Sequence, residues 1–306
     1  MRLSEDFRAG YRELRHGAGG VIGDRDLLLI SGADSASFLQ GQLSADVAAL
    51  APGQVASSLL LRPDGKLHCL MRVSRLSNER FACDLAPGLG EEAWARLERF
   101  KLRVAVEAEL RRFRMLAVRG VAAPPPPAAN PGGEGGGPVV VATVSWGSVG
   151  GWDVVANEVT PPDGVRLCDA EALEAVRIES GVPAARSELT EGLIPAEAGV
   201  VAGAVSFTKG CFVGQELVAR IDSRGGNTPR RLRGVIAAEG PQPPPGAALV
   251  DAAGSAVGRI TSSAFSPHFE APVALAYVHR RVEPPAPAII GDDGRPCQIR
   301  ALPLVP

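Results

Sequence analysis

The chain has 306 residues, of which 45% are apolar and 22% charged, and a formal net charge of −2. This length can hold two or three domains with a sizeable core, and the composition is typical of globular proteins. The near-neutral charge gives no basic excess for a nucleic acid, so we expect no nucleic-acid partner. No apolar run approaches the length of a membrane span, so we expect no membrane partner either.

The cysteines and histidines are scattered, which argues against a local metal site. The five cysteines are Cys69, Cys83, Cys168, Cys211 and Cys297. The first residues lack the apolar core of a signal peptide, so the odd number of cysteines predicts free thiols in a reducing cytoplasm. No Cys-x-x-Cys pair, nucleotide-binding glycine loop or serine-hydrolase elbow occurs in the sequence.

The first hundred residues predict a compact α+β unit. A turn and a buried strand cover 21–31, and capping residues introduce a short helix at 36–43. Alternating apolar residues and a Pro-Asp-Gly turn predict a hairpin, and an amphipathic helix follows a third strand. The predicted ranges are 55–61 and 67–74 for the hairpin, 80–85 for the third strand and 91–100 for the helix.

A proline- and glycine-rich stretch at 122–138 interrupts the next strands. It follows a predicted strand at 104–118 and precedes strands at 139–145 and 152–156. Its composition cannot pack a core, so we expect a mobile surface loop. The stretch is either a domain boundary or an insertion between strands.

A helix from Asp169 to about Ser180 places one carboxylate on an apolar face. Glu179 shares that face with three apolar residues, at spacings of three, four and seven. A carboxylate there costs free energy unless it has a partner. Two interpretations stay open, a salt bridge to an arginine and recognition of a ligand that donates two hydrogen bonds.

An extended loop at 182–207 leads to the most distinctive stretch of the chain, Lys209-Gly210-Cys211-Phe212-Val213-Gly214-Gln215-Glu216. A short helix is predicted directly after it. The positive charge of Lys209 and the positive end of that helix would both favour the thiolate of Cys211. The cysteine is either a reactive thiol or a buried structural residue in a turn.

The last part of the chain predicts a small β-barrel. An arginine cluster around 224–233 is either an anion site or a solvated strand edge. Beyond a proline-rich joint, short strands are separated by glycine and proline turns, a pattern typical of a barrel. We therefore divide the chain into a first region, 1–235, made of two interleaved α+β subdomains, and a barrel domain, 236–306. The predicted barrel strands are 248–251, 256–262, 273–278 and 298–302.

The distinctive stretch resembles the signature K-G-C-[YF]-x-G-Q-E of the YgfZ folate-binding proteins. These are relatives of the aminomethyltransferase, or T-protein, of the glycine cleavage system. The likeness extends over nearly the whole chain outside the proline-glycine loop. Its further segments are 24–46, similar to a D-R…G-x-D…F-L-Q-G-Q…D pattern, 177–181 with 195–199, similar to R-[IL]-E-x-G…P-x-E-x-G, and 258–262 with 274–278 in the barrel.

The resemblance implies an α+β, T-protein-like fold. Ferredoxin-like and mixed antiparallel α/β subdomains and a small C-terminal β-barrel would form a ring around a central channel. Tetrahydrofolate or a derivative would be the cofactor, with Glu179 on its pterin ring. Iron–sulfur enzymes or cluster-assembly proteins would be transient partners, and the implied function is to support assembly or repair of iron–sulfur clusters. Cys211 and Lys209 become catalytic candidates, and the further binding candidates are Gly210, Gln215, Glu216 and Arg220.

One departure from the family pattern bears on activity. Aminomethyltransferases carry G-G-x-x-D-D on the return strand of the hairpin, where this chain has His68 and Cys69 in place of the paired aspartates. We therefore do not expect glycine-cleavage activity, and leave open whether the chain is an enzyme. One alternative is a folate-dependent one-carbon transferase or demethylase acting on an amine. The other is a non-catalytic scaffold for cluster-assembly partners.

Overall fold

The structure is a computed structural model that describes residues 4–130, 137–291 and 294–306. The helices are α1 Glu5–His16, α2 Ser35–Gln42, α3 Gly90–Glu98, α4 Ala170–Glu179, α5 Val201–Ala204 and α6 Gln215–Ser223, with a short 3₁₀ helix at Pro195–Ala198. The strands are β1 Gly19–Ser31, β2 Val55–Leu61, β3 Leu67–Arg75, β4 Arg80–Leu85, β5 Glu107–Arg119, β6 Val140–Trp146, β7 Val149–Ala156, β8 Arg166–Leu167, β9 Arg230–Ala237, β10 Ala248–Val250, β11 Ala256–Ser266, β12 Ala271–His279, β13 Ala286–Ile290 and β14 Arg295–Arg300. Within the described ranges, every helix is too short or too polar to traverse a lipid bilayer.

The first region is built on one sheet with the strand order β2-β3-β4-β1-β5-β7-β6, and β8 pairs with β1 in parallel. The long strand β1 pairs with β4 on one side and with β5 on the other. It begins at Gly19 and runs through the residues predicted as a turn. The two interleaved subdomains expected from the sequence therefore share one sheet, with β1 at the junction.

The proline-glycine loop connects strands of this same sheet. It leaves β5 and returns as β6, and both of these strands lie beside β7. The loop is therefore an insertion between strands rather than a domain boundary. Residues 131–136 of the predicted loop lie outside the described residues, and 123–130 form neither helix nor strand.

Helix α1 was not predicted, and it packs on α4. Its first turn is capped by Ser4, whose hydroxyl accepts the Phe7 N–H at 3.1 Å. Tyr11 and Leu14 repeat at helical spacing from Phe7, so these buried side chains form a stripe that faces the common core with α4.

The C-terminal unit is a closed barrel with the order β10-β11-β12-β9-β14-β13. Because β9 begins at Arg230, the barrel starts inside the region that the sequence assigned to the first domain. Its interior is filled by aliphatic side chains such as Val235, Ile260 and Ile299. The α+β class with a C-terminal barrel is thus confirmed. Strand β13 was not identified from the sequence, and β9 was considered only as the strand-edge alternative for the arginine cluster.

Candidate functional site

A cavity of about 600 Å³ opens between the sheet of the first region and α4 with its following segment, 182–189. Its walls are apolar in part, with Leu70, Met115, Leu173 and Leu189. This volume is in the usual range for small-molecule sites, which combine apolar walls with a few polar groups. The polar and aromatic side chains that line it include Arg25, Arg72, Arg119, Trp146, Asp153 and Arg177.

A buried ionic network forms one wall of this cavity. Asp84 accepts hydrogen bonds from Arg25 Nε at 2.5 Å and Arg72 Nε at 2.6 Å. Arg72 Nη1 donates to Asp153 Oδ2 at 2.5 Å, and Arg119 Nη2 lies 2.8 Å from Asp153 Oδ1. Three guanidiniums therefore share two carboxylates, and the network carries one excess positive charge.

The network keeps the Asp153 carboxylate charged and positions the Trp146 ring. Burial by itself would raise the pKa of Asp153, but the neighbouring guanidiniums of Arg119 and Arg72 hold it below its ordinary value. Asp153 is therefore ionised at neutral pH. The Arg119 guanidinium also stacks over the Trp146 ring, 4.4 Å from its centroid.

Glu179 does not line the cavity. Its side chain has 0% exposure, and its Oε2 accepts from Tyr11 Oη at 2.8 Å and from Arg15 at 2.9 and 2.7 Å. Its Oε1 accepts from Ser266 Oγ at 2.5 Å. Arg15 is thus the salt-bridge partner that the sequence left open. A pterin could reach this carboxylate only by displacing these donors, so the pterin contact expected for Glu179 stays a prediction.

Lys209 is bound to the backbone of the α2 region. Its Nζ donates to the carbonyl oxygens of Gln40, Leu43 and Ala45 at 2.6, 2.7 and 2.8 Å. Burial lowers the pKa of Lys209 to about 8, but the ammonium has an acceptor for each of its three N–H bonds. Because all three N–H bonds donate to these carbonyl oxygens, no hydrogen bond from Lys209 supports activation of Cys211, and that activation stays a prediction.

The rest of the motif fixes a loop that displays Cys211 to solvent. Phe212 is buried in the core, and the Val213 N–H donates to the Gly41 carbonyl at 3.1 Å. Gly214 has φ +83°, and a Cβ there would lie 2.5 Å from the Arg62 carbonyl oxygen at the hairpin turn. Only glycine meets both conditions. The cysteine itself is exposed, so the alternative of a buried structural residue is wrong.

The remaining predicted binding residues lie on this loop and on α6, not in the cavity. Gly210, Glu216 and Arg220 are exposed, and Gln215 is half-buried. Helix α6 begins at Gln215, two residues earlier than the helix predicted after the motif, which was placed at 217–222. The structure therefore brings the motif residues together, while the cavity is formed by residues outside the motif.

The hairpin residues that replace the paired aspartates differ from each other in exposure. His68 is on the same face of β3 as Leu70 and Arg72, and its Nε2 lies 3.1 Å from the Glu92 carbonyl oxygen. Cys69 points to the opposite side, and burial raises the pKa of its thiol to about 12. Cys69 is therefore neutral and cannot replace a carboxylate as a base.

Sequence reasoning missed the arginines and the aspartate of the cavity wall. Charged residues inside otherwise apolar strands, such as Arg72 in β3 and Asp153 in β7, were the available signal. No cluster of three or more His, Cys, Asp or Glu side chains that could hold a metal ion occurs within 4–130, 137–291 and 294–306.

By comparison with known proteins, this chain belongs to the class of proteins with the T-protein fold. Residues 230–303 match the model of the glycine cleavage T-protein C-terminal barrel domain. The crystal structure of the glycine cleavage system aminomethyltransferase T from Bartonella henselae superposes with a TM-score of 0.79 at 21% identity, over 98% of this chain and 89% of that one. An aminomethyltransferase from Streptomyces coelicolor is 26% identical, over 97% of this chain and 86% of its own length.

A second relative identifies the family within that class. The tRNA-modifying protein YgfZ of Klebsiella pneumoniae is 31% identical over 238 residues, which cover 68% of each chain. The chain belongs to the YgfZ family.

Proposed function

We propose that this protein binds tetrahydrofolate or a derivative and supports the assembly or repair of iron–sulfur clusters in other enzymes. The observation that carries the proposal is the cavity of about 600 Å³ with apolar walls, a stacked tryptophan and a charged wall. A pterin with its flat polar edge suits such a site. Membership of the YgfZ family supports the same proposal.

In this proposal the folate and the thiol act at different places. Folate occupies the cavity, whereas Cys211 is exposed on a loop that contributes no residue to the cavity wall. The thiol is therefore available to a protein partner, either an iron–sulfur enzyme or a cluster-assembly protein that binds transiently. Cys69, Cys83, Cys168 and Cys211 are free thiols, which supports work in the cytoplasm.

The alternative functions have less support. A one-carbon transferase of the aminomethyltransferase type carries paired aspartates where this chain has His68 and Cys69, and the buried Cys69 is neutral. A non-catalytic scaffold would not need a cavity of ligand size. The Klebsiella relative is named for tRNA modification, but the net charge of −2 gives this chain no basic excess for an RNA backbone, so we keep a protein-directed function.

Calorimetric titration with tetrahydrofolate and its methylene derivative tests the ligand. We expect the wild type and Cys211→Ala to bind equally, and Trp146→Ala to bind at least about tenfold more weakly because the ring forms part of the wall. Failure of the folded wild type to bind would refute the folate part.

Complementation tests the thiol. In a strain that lacks this protein, Cys211→Ser should fail to restore iron–sulfur enzyme activity, while Cys168→Ser, a change at a half-buried cysteine, should restore it. Full restoration by Cys211→Ser would show that the thiol is not required.

A further inference from the structure

Arginines gather where the end of α6 meets the barrel, in the segments 220–233 and 279–283, which we call the basic corner. The two segments contain seven arginines and two acids, a net charge of +5. Because the whole chain has −2, the remainder carries −7. The segments lie together, since the Arg280 N–H donates to the Pro229 carbonyl oxygen at 3.0 Å and Arg280 Nη1 donates to Asn227 Oδ1 at 2.7 Å.

Most of these arginines have no counter-charge within the protein. Arg230 is the exception, because it pairs with Glu197 at 2.9 Å. Burial and the neighbouring Arg231 lower the pKa of Arg233, which is the direction that crowding of cations gives. Five arginines of the basic corner are exposed and make no ion pair within 4–130, 137–291 and 294–306, namely Arg220, Arg224, Arg231, Arg280 and Arg281.

A second group of crowded arginines, on β5, provides an internal comparison. Each of its three exposed arginines has an acid within ion-pair distance, as Arg111–Glu109 at 2.7 Å, Arg112–Asp26 at 3.8 Å and Arg114–Asp24. Local acids neutralise that group, and the basic corner lacks them. Like charges kept together without counter-charges create a positive potential that attracts and orients an oppositely charged partner.

The partner that fits this surface is a folded protein with an acidic patch rather than a nucleic acid. Proteins hold single strands partly by stacking bases on aromatic rings, and the two segments contain no Phe, Tyr or Trp. A nucleic acid is also negative along its whole length, so the part that extends past the basic corner would meet a chain of net −7. A local acidic patch on a protein meets only the arginines.

The basic corner is also close to the exposed thiol. Helix α6 begins at Gln215, four residues after Cys211, and its nine residues end at Ser223, inside the basic corner. Nine helical residues span about 13 Å. A protein–protein interface of ordinary size covers about 800 Å² on each partner, so one partner can contact both the arginines and the Cys211 loop.

We propose that the basic corner is the docking surface for an acidic patch on the protein partner that uses Cys211. The inference rests on the proposed function, because it names the surface chemistry of the partner in that function. Of the two interpretations that the sequence left open for the arginine cluster, it takes the anion site, with protein carboxylates as the anions. The arginines steer and orient the incoming protein, and the thiol lies at the same interface.

Fluorescence anisotropy with a fluorescein-labelled decaglutamate peptide tests the charge of the partner. Arg224→Glu/Arg231→Glu reverses two side chains that make no hydrogen bond or ion pair in the described ranges, and it should bind the peptide at least about tenfold more weakly than the wild type in about 20 mM salt. The control Arg12→Glu/Arg80→Glu makes the same change in net charge at exposed arginines elsewhere and should stay within about twofold. Equal weakening in both variants overturns the inference.

Complementation of the deletion strain tests the function of the surface. The wild type and the control should restore iron–sulfur enzyme activity, and Arg224→Glu/Arg231→Glu should restore less than about a tenth of it while the purified variant binds tetrahydrofolate as the wild type does. Restoration by all three proteins overturns the inference alone, whereas a wild type that restores nothing overturns the proposed function as well.

Two further outcomes also overturn the inference. Loss of tetrahydrofolate binding in Arg224→Glu/Arg231→Glu, with binding kept in the control, would place these arginines at the ligand. A gel shift of total tRNA by the wild type in about 150 mM salt, absent with the same variant, would make the partner a nucleic acid. We expect neither result.

Discussion

The exposure of Cys211 separates it from the other four cysteines of the chain. Cys69, Cys83 and Cys297 are buried, and Cys168 is half-buried. Burial raises the pKa of the Cys69 and Cys83 thiols to about 12, which leaves on the order of a thousandfold less thiolate at neutral pH than an ordinary cysteine has.

Alkylation with iodoacetamide at pH 7.5 should therefore modify Cys211 first. Mass mapping over time should find Cys168 next and Cys69 and Cys83 protected, because the thiolate is the reacting form. In urea all five should react at similar rates. Labelling of Cys69 as fast as Cys211 in the native protein would contradict the buried position of β3.

Glu179 is expected to act on stability. Glu179→Gln leaves the Arg15 guanidinium buried without a counter-charge, so we expect the free energy of unfolding to fall by about 3–5 kcal/mol in urea titrations. The matched control is Glu174→Gln, whose partner is Arg177 but whose side chain is 40% exposed; there the loss should be under about 1 kcal/mol.

The same variant also tests the ligand contact that the family resemblance implies for Glu179. If Glu179→Gln is as stable as the wild type but weakens tetrahydrofolate binding, the carboxylate contacts the ligand as the resemblance implied. The buried salt bridge to Arg15 predicts instead that Glu179→Gln is less stable than the wild type and binds tetrahydrofolate as well as the wild type does.

At the scale of elements, the hairpin turn and the cysteine loop are docked through two glycines. A Cβ on Gly65 would lie 2.4 Å from the Leu217 Cβ, and one on Gly214 would lie 2.5 Å from the Arg62 carbonyl oxygen. The turn between β2 and β3 therefore supports the N-terminus of α6 and, with it, the loop that carries Cys211. The Lys209 contacts attach the same loop to α2.

Gly214→Ala should weaken this docking. The alanine would have φ +83° and its Cβ would clash with a carbonyl oxygen. We therefore expect the free energy of unfolding to fall by about 1–3 kcal/mol in urea titrations. Gly210→Ala is the control within the same motif. A Cβ on Gly210 meets open space at an ordinary φ, so its effect should stay within about 0.5 kcal/mol. Equal effects of the two changes would contradict the docking.

Local patterns predicted the elements that have clear chemical signals. The hairpin was placed almost to the residue, because Pro-Asp-Gly ends one alternating run and starts the next. Helix α1 was missed although Ser4 and the spacing of Phe7 and Tyr11 are helical signals. Strand β9 was not assigned because its first residues, Arg230-Arg231-Leu232-Arg233, lack a regular alternation of polar and apolar side chains.

The site was predictable only in part, for a physical reason. The cysteine loop is one continuous segment, so its motif was visible in the sequence. The cavity wall combines Arg25, Arg72, Arg119 and Asp153 from β1, β3, β5 and β7, and only the register of the sheet brings them together. A single sequence carries no information on that register, so the cavity could not be derived.

At the scale of the whole molecule, buried ion pairs within the sheet and between α4 and the segment that follows it determine the response to acid. Burial alone would raise the pKa of Asp153 and of Glu188, but Arg119 and Arg72 beside Asp153, and Arg177 beside Glu188, hold each pKa below its ordinary value. In the unfolded chain these carboxyls would take up protons at higher pH than in the folded protein. Their stabilisation is therefore complete above about pH 5 and is lost as the pH falls through the folded pKa values.

Urea unfolding between pH 3 and pH 7 measures this dependence. We expect the free energy of unfolding to decrease below about pH 4.5, because that is the ordinary pKa that Glu188 has in the unfolded chain. Asp153→Asn should make the decrease shallower. A free energy that stays constant down to pH 3 would show that these carboxylates are not paired in the folded state.

The barrel supplies two hydroxyl groups to the acids of the first region. Ser262 Oγ donates to Glu188 at 2.7 Å, and Ser266 Oγ donates to Glu179 at 2.5 Å. The two regions are therefore not freely interchangeable during evolution. A barrel recombined from a distant relative would leave Glu188 and Glu179 short of a donor unless it carried hydroxyl or amide side chains at both places on β11. We expect chimaeric proteins to fold well only when these two positions are inherited together with α4 and the following segment, 182–189.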